Sequence, residues 1–258
     1  MKFSLMIPTR KRPKQLELLI ESIIKNTNKM EDIEIHFGVD IDDLVTIDLV
    51  SKLKIKYSKY NLELHVRERG NSVVNHYINW MAVSFCVGEY IIGLNDDCLF
   101  KTKGWDIKSY NKLYEYLKDK PDGIVLGLVE DMEIYRIKEN KNIASDFPLI
   151  SKKAVDVLGF FLNPDYLNCG ADDDICILYK AIDRLLDLRD CIVIQHWPPE
   201  FKGLDNGYSF VNDGSNVKVE VISITKNKFR VNNITLPIEK RIAPLLTAIK
   251  NAQIEDNL

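Results

Sequence analysis

The sequence contains no apolar run that approaches the roughly 18–20 residues a helix needs to span a bilayer. Its start, MKFSLMIPTR, reaches Pro8 and a run of basic residues too early to form the apolar segment of a secretory signal peptide. We therefore expect a protein without a transmembrane segment that is located in the cytoplasm.

Cysteine is scarce and follows no metal-binding or disulfide pattern. There are five cysteines, an odd number, with no CxxC pair, and most of them lie within apolar stretches. They are predicted to be small buried side chains, in keeping with a cytoplasmic protein: Cys86, Cys98, Cys169, Cys176 and Cys191.

The sequence also lacks an excess of charge of one sign. Its 258 residues carry a formal net charge of −3, so no overall field draws the chain to nucleic acid or to an anionic membrane, although a local basic patch is compatible with this balance. With 46% apolar and 28% charged residues, the composition is that of an ordinary globular protein. The length is at the upper edge of one domain.

Short β-type runs alternate with helical patterns over residues 1–200. This alternation predicts right-handed crossovers and an α/β fold with a mostly parallel sheet flanked by helices. Strands are predicted over 3–7, 33–39, 62–66, 90–94, 124–129, 147–150 and 192–194. Helices are predicted from Pro13, around residues 73–84 and 105–117, after 172–174, and from about 238. A loop over 201–215 and a hairpin of 217–225 and 229–236 precede the last helix.

Polar clusters follow four of the predicted strands. In open parallel sheets, ligands bind in the crevice outside the carboxyl ends of the strands. Four separate loops are therefore expected to converge on one crevice: Thr9-Arg10, Asp40 to Asp43, Arg67 to Asn71, and Asn95 to Asp97.

The first acidic candidate is Asn95-Asp96-Asp97, directly after an apolar run. Adjacent carboxylates at a strand end are costly unless a positive charge neutralises them. A divalent cation that bridges a substrate diphosphate would do so. A solvated turn or a helix N-cap would explain the same residues.

The second acidic candidate is Asp172-Asp173-Asp174 at a predicted helix start. Capping and dipole compensation explain part of this cluster. Mutual repulsion among three carboxylates could instead raise the pKa of one of them, as a general base requires.

Other polar residues each have a functional and a structural interpretation. His196 ends an apolar strand and is either a structural histidine or a partner of Asp97 in a metal site. The basic residues 10–12 form a solvated turn or contact diphosphate oxygens. The acidic residues 40–43 form a turn or accept hydrogen bonds from a nucleobase or ribose.

Together these segments resemble the glycosyltransferases of the GT-A fold, particularly family 2 and the β-1,4-galactosyltransferase group. The resemblance is carried by LMIPTRKR (5–12), VDIDD (39–43), RGN (69–71), GEYIIGLNDD (88–97) and GADDDI (170–175). Two positions depart from the family pattern. Asn95 stands at the first position of the DxD metal motif, and Ala171 replaces an acceptor-side glutamate.

The resemblance implies a role for each group of residues. It implies a Mn²⁺ or Mg²⁺ ion held by Asp97 and His196, and catalysis in the 172–174 cluster, with Asp172 as the base and Asp173 beside it. It implies that the nucleotide sugar is bound by Pro8, Thr9, Arg10, Arg12, Asp40, Asp42, Gly70, Asn71, Asn75, Asn95 and Asp96.

The implied activity is inverting, metal-dependent transfer of a sugar, as in hexosyltransferases. The donor is a nucleoside-diphosphate sugar, and the acceptor hydroxyl belongs to a glycan, protein, lipid or modified nucleic acid. A non-catalytic nucleotide-sugar or carbohydrate-binding protein on the same fold is the alternative, motivated by Asn95 and Ala171. The expected organisation is a GT-A catalytic domain over 1–200. A C-terminal loop, hairpin and helix (201–258) would pack on it.

Overall fold

A computed structural model describes residues 1–132, 145–166, 170–202, 204 and 238–256. The predicted hairpin and most of the predicted 201–215 loop lie outside these residues. The strands are β1 (Phe3–Thr9), β2 (Ile33–Asp40), β3 (Asn61–Arg67), β4 (Tyr90–Gly93), β5 (Cys98–Phe100), β6 (Leu126–Leu128), β7 (Glu130–Asp131), β8 (Leu149–Ser151), β9 (Leu185–Asp187) and β10 (Val193–His196). The α-helices are α1 (Pro13–Asn26), α2 (Leu44–Lys56), α3 (Trp80–Ser84), α4 (Trp105–Leu117), α5 (Lys152–Leu158), α6 (Ala171–Ala181) and α7 (Ile238–Asp256).

The main sheet has seven strands in the order β3-β2-β1-β4-β8-β6-β9. The pairings β1–β2, β2–β3 and β1–β4 are parallel, as expected for strands joined by helical crossovers. Every residue of β2 is buried, because helices cover both faces of this part of the sheet. The predicted α/β architecture with a mostly parallel sheet is confirmed.

The sheet departs from parallel pairing at β8. This strand lies between β4 and β6 and is antiparallel to both. The prediction placed a strand at 147–150 but gave no direction, because the side-chain pattern of three buried residues is the same for either direction.

A second sheet has three strands in the order β5-β10-β7. The β5–β10 register pairs Cys98 with His196, and the β7–β10 register pairs Asp131 with Ile194. The predicted 192–194 strand extends to His196, the predicted 124–129 strand is shortened to β6, and β7 follows it without a predicted counterpart. This small sheet brings His196 towards Asp97 and Asp131.

The helices form where apolar spacing predicts them, with local exceptions. α1 begins at Pro13 and buries Leu16, Leu19, Ile20 and Ile23 against the sheet. The predicted helix over 73–84 begins with a π-helical segment, Val74–Asn79, before α3. α2, α5, β5 and β9 had no counterpart among the predicted elements.

Four cysteines in the described residues confirm the prediction made for them. Cys86, Cys98, Cys176 and Cys191 are free and buried. Burial raises the pKa of the Cys86 thiol to about 12, which keeps it protonated and inert. Cys169 lies outside the described residues.

Candidate functional site

The carboxyl ends of β1, β2, β3 and β4 form one edge of the sheet, where most of the predicted site residues gather. Arg12, just before α1, is central to it. Its Nη1 lies 2.8 Å from Oδ1 of Asp96 and 3.0 Å from Oδ2 of Asp97. The Thr9 hydroxyl donates to the second oxygen of Asp96 at 2.9 Å. One guanidinium thus offsets part of the charge of the acidic pair from within the chain.

Burial governs the electrostatics of this cluster. Arg12, Asp96 and Asp97 are 7%, 6% and 5% exposed. Burial raises the pKa of the Asp96 carboxyl; the Arg12 charge opposes this rise and the Asp97 charge adds to it. Asn95, by contrast, is exposed beyond the end of β4.

His196 reaches Asp97 from the second sheet. Its Nε2 lies 2.9 Å from Oδ1 of Asp97. Burial alone would lower the pKa of His196, but the hydrogen bond to Asp97 and the charges of Asp97, Asp131 and Asp146 raise it above its ordinary value. The predicted pairing of Asp97 and His196 in space is therefore present.

Trp197 closes this side of the cluster in an unusual backbone conformation. Its φ of 47° lies in the left-handed region, which costs energy for a residue with a side chain. Its N–H donates to the Asp97 carbonyl at 3.0 Å. The Arg12 guanidinium lies 5.6 Å from the centroid of its ring. The strained turn therefore holds the backbone of Asp97 and one side of Arg12.

Asp131 and Asp146 were not predicted as site residues. One carboxylate oxygen of each residue and one ring nitrogen of His196 all lie within 4.8 Å of one another. Asp131 ends β7, just after the predicted 124–129 strand. Its place as a polar residue at the end of a strand is the feature of the sequence that could have indicated a site residue. Nothing in the sequence around Asp146 indicated that it lies beside His196.

These side chains fit a divalent cation. Carboxylate oxygens and one imidazole nitrogen are the donors that Mn²⁺ and Mg²⁺ accept. The 2.9 Å between His196 Nε2 and Asp97 Oδ1 also matches the spacing of two adjacent ligands at about 2.1 Å from one octahedral ion. Carboxylates lie near both ring nitrogens of His196: Asp97 is 2.9 Å from Nε2, and Asp131 is 4.0 Å from Nδ1.

A second network surrounds Asp40 at the end of β2. Arg10 Nη1 lies 2.6 Å from Oδ2 of Asp40, and the Tyr77 hydroxyl donates to Oδ1. Burial and this bond raise the pKa of Tyr77 to about 12. Asp40 is 2% exposed, with both oxygens engaged. It anchors Arg10 and Tyr77 at the strand end.

Asp42 presents the exposed carboxylate of the same network. Arg10 binds it through two nitrogens, at 2.6 and 2.8 Å, and the Asp42 side chain is 57% exposed. The hydrogen bond from Arg10 lowers the pKa of Asp42 to about 2. Asp42 is therefore a stable anion on the surface, just beyond the carboxyl end of β2.

The loop after β3 is tied to this network through Gly70. Its N–H donates to the Tyr77 hydroxyl at 3.0 Å, and a Cβ at this position would lie 2.4 Å from the Cβ of His76. Only glycine fits here. Asn71 is exposed, and Asn75 donates to the carbonyl of Pro164 at 2.8 Å, which fastens the 161–166 segment beside the loop. Pro8 is half-buried within β1.

The acidic cluster Asp172-Asp173-Asp174 occupies the first turn of α6. Asp172 and Asp173 are half-buried, whereas Asp174 is buried. Asp174 accepts hydrogen bonds from Asn163 at 3.1 Å and from Arg241 of α7. Ala171 packs against Val74, which places the start of α6 next to the loop that follows β3.

Three solved glycosyltransferases have this fold. S. aureus TarS (residues 1–349) is 15% identical, with a TM-score of 0.57 over 75% of this chain and 60% of its own. The mannosyltransferase PcManGT of Pyrobaculum calidifontis is 16% identical, with a TM-score of 0.59 over 77% of this chain and 57% of its own. GalNAc-T7 is 16% identical, with a TM-score of 0.56 over 76% of this chain and 44% of its own.

These structures were solved with nucleotide ligands. TarS is in complex with UDP and with UDP-GlcNAc, PcManGT with GDP-Man and Mn²⁺, and GalNAc-T7 with UDP, GalNAc and Mn²⁺. The chain spans less than two thirds of the length of each of them, and identities this low establish the fold alone.

No protein-family model and no curated protein matches the chain. Among the helices of the described ranges, none combines the length and the apolar character that crossing a membrane demands. The likeness to the three solved glycosyltransferases shows that the chain has the GT-A fold.

Proposed function

We propose that the protein is a glycosyltransferase that moves a sugar, of the hexose type, from a nucleoside-diphosphate sugar to an acceptor hydroxyl. One observation carries the proposal. On a GT-A fold, the Arg12–Asp96–Asp97–His196 cluster and the Arg10–Asp40–Asp42 network lie at the carboxyl edge of the sheet, where this class of fold binds its ligands.

The donor is assigned to the face between β1, β2 and β4. The exposed Asp42 is suited to accept hydrogen bonds from a base or ribose. Arg10 and Arg12 supply positive charge for the diphosphate. Pro8, Thr9, Gly70, Asn71, Asn75, Asn95 and Asp96 complete or support the walls, and Asp40 acts through Arg10.

A divalent cation, Mn²⁺ or Mg²⁺, is assigned to Asp97 and His196; Asp131 and Asp146, which lie near the same histidine, form an alternative site for it. When bound, such an ion neutralises the charge of the leaving nucleoside diphosphate. The residues of the chain then hold the diphosphate in place and keep the anomeric carbon facing the acceptor side.

Asp172 is assigned as the general base of an inverting reaction, with Asp173 beside it. Its carboxylate takes the proton of the acceptor hydroxyl while that oxygen bonds to the anomeric carbon and the bond to the diphosphate oxygen breaks. The pair of electrons leaves with the diphosphate. Transfer of this kind depends on positioning and charge stabilisation.

The proposed organisation is a catalytic domain over 1–200 followed by a C-terminal part, 201–258, of which α7 packs on the domain. α7 contributes Leu245 and Ile249 to the same core as α6. We further propose a cytoplasmic enzyme whose acceptor is a glycan, protein, lipid or modified nucleic acid.

Non-catalytic binding of nucleotide sugars or carbohydrates on this fold is the second candidate. It is favoured by Arg12, which forms ion pairs with both Asp96 and Asp97 and so offsets part of their charge without an added cation. Asn95 and Ala171, which depart from the family pattern, favour it as well.

A donor panel separates the two candidates. The chain is incubated with UDP- and GDP-sugars, with a pool of glycan, peptide and lipid acceptors, in Mn²⁺ or EDTA. Metal-dependent release of nucleoside diphosphate that rises with acceptor supports transfer. Calorimetric binding of a donor without any release supports the binding protein.

A further inference from the structure

We infer that Arg241, on the C-terminal helix α7, is a positioning residue for the acidic first turn of α6, and through it for Asp172. The inference rests on the proposed glycosyl transfer with Asp172 as base. It gives residues 238–256 a part in the reaction beyond packing on the core.

The contact is a buried ion pair between the first turns of two helices. Arg241 Nη1 donates to Oδ2 of Asp174, and the two side chains are 10% and 6% exposed. Asn163 Nδ2 donates to the same oxygen at 3.1 Å. Donors from two different segments, 163–166 and α7, thus converge on one buried anion.

This convergence fixes the rotation of α6 about its axis. Successive helical residues point about 100° apart, so Asp172 lies about 200° around the helix from Asp174. Holding Asp174 against Arg241 therefore keeps Asp172 on the nearly opposite side, where it is half-buried. Asp173 lies between the two directions.

Both helices are anchored in the core, so the Arg241–Asp174 contact sets the position of the first turn of α6. Ala171 of α6 packs with Val74 and Tyr166 beside the loop that carries Gly70. α7 is held by Leu245 and Ile249, which are 0% and 9% exposed. Loss of the guanidinium would leave the Asp174 carboxylate buried without its cationic partner, and the first turn of α6 would shift to hydrate it.

The test is Arg241→Met, which keeps an apolar stem of similar length and removes the charge. We expect kcat for transfer to fall about 10- to 100-fold, because displacement of a reacting group by about 1 Å has effects of that size. Donor Kd by calorimetry should stay within about twofold, since the donor residues lie on other segments. A role in packing alone would not separate these two readouts.

Matched variants complete the experiment. Lys240→Met removes the exposed lysine next in sequence and should retain full kcat. Arg241→Lys keeps the charge without the planar fork and should restore part of kcat. Should Arg241→Met fail to give a cooperative thermal transition, Arg241→Gln is measured instead, and a folded Arg241→Gln with full kcat would overturn the inference.

Two results of Arg241→Met would likewise overturn it: unchanged kcat, or equal loss of kcat and donor affinity. A wild-type protein that releases no nucleoside diphosphate would instead contradict the proposed function. The two failures are therefore distinguishable.

Discussion

His196 Nε2 lies 2.9 Å from Asp97 Oδ1, although the two residues are 99 positions apart in sequence. Strand register creates this contact. β10 pairs antiparallel with β5, so that His196 lies opposite Cys98, the neighbour of Asp97. The two segments that carry the proposed metal ligands are thus joined by backbone hydrogen bonds before any ion binds.

The first prediction concerns this pair. Asp97→Ala should abolish Mn²⁺-dependent binding of UDP or GDP, because it removes a carboxylate ligand, while Arg12 keeps its ion pair with Asp96. His196→Ala should weaken the same binding more modestly. Calorimetry with nucleoside diphosphate, in Mn²⁺ and in EDTA, measures both.

Asp48→Ala, a change on an exposed face of α2, is the control. Asp97→Ala with the metal dependence of the wild type would contradict the assignment. If Asp131→Ala alone removes that dependence, the ion is held on the other side of the His196 ring.

The second prediction separates Asp40 from Asp42. Asp42→Asn should raise the donor KM more than it lowers kcat, with little change in Tm, because Asp42 is exposed. Asp40→Ala should also raise the donor KM but destabilise the fold, since it leaves Arg10 and Tyr77 without their shared partner. Arg10 keeps Asp42 as a partner, so the loss should be smaller than the about 3–5 kcal/mol of a buried charge left unpaired. Steady-state kinetics measure the changes in KM and kcat, and urea unfolding measures the change in stability. Equal losses of stability in the two variants would refute the distinction.

The third prediction concerns Arg12. Arg12→Met should leave Asp96 and Asp97 buried without their cation and lower the free energy of unfolding by about 3–5 kcal/mol. Mn²⁺ should then raise the Tm of this variant more than that of the wild type, because an added cation replaces the missing charge. Differential scanning fluorimetry with and without Mn²⁺ gives the answer. No extra stabilisation would show that these carboxylates do not bind the ion.

The fourth prediction is a pH dependence of stability from His65 and Glu34, away from the site. Burial, and then the nearby His36, lower the pKa of His65 to about 4, whereas the unfolded chain has a value of about 6.5. The unfolded state therefore binds more protons between these pH values, and stability falls as pH drops from 6.5 to 4.

Glu34 continues the decline at lower pH. Burial would raise the pKa of Glu34, but the adjacent His36 ring and hydrogen bonds from Ser4 and the Val87 N–H lower it to about 2. Its contribution, present above about pH 4.5, is lost as pH falls towards 2.

His65→Gln tests the upper window. It should remove on the order of 1 kcal/mol of the loss between pH 6.5 and 4, a value discounted for a partly exposed ring. The decline of stability below pH 4.5, which comes from Glu34, should remain. Urea unfolding at several pH values measures this; an unchanged slope between 6.5 and 4 would disprove the role of His65.

Much of the fold could be predicted because the central strands are buried on both faces. The apolar runs of β1, β2 and β4, with helices between them, leave few other architectures. The antiparallel β8 could not be predicted, since three buried residues carry no sign of direction. The π-helical start of the 74–84 helix was equally hidden, because it preserves the buried Tyr77 and Met81.

For the site, the sequence indicated the strand ends but could not indicate the pairings across them. That Arg12 would contact both Asp96 and Asp97, and that both oxygens of Asp40 would be bound by Arg10 and Tyr77, depends on side-chain directions of residues 30 or more positions apart. The acidic cluster shows the same limit. Of the three identical residues at 172–174, only the folded chain shows that Asp174 is the one buried against Asn163 and Arg241.

The measurement that tests the central claim most directly is single-residue replacement at the proposed base. With a donor and acceptor that turn over, Asp172→Asn should lower kcat by about 10²–10⁴-fold with donor Kd unchanged, whereas Asp173→Asn should retain far more activity. If Asp173→Asn is the inactive variant and Asp172→Asn keeps near-full turnover, the base is assigned one residue off. If Asp172→Asn, Asp173→Asn and Asp174→Asn all keep wild-type kcat, no base lies in this cluster and the inverting mechanism is contradicted.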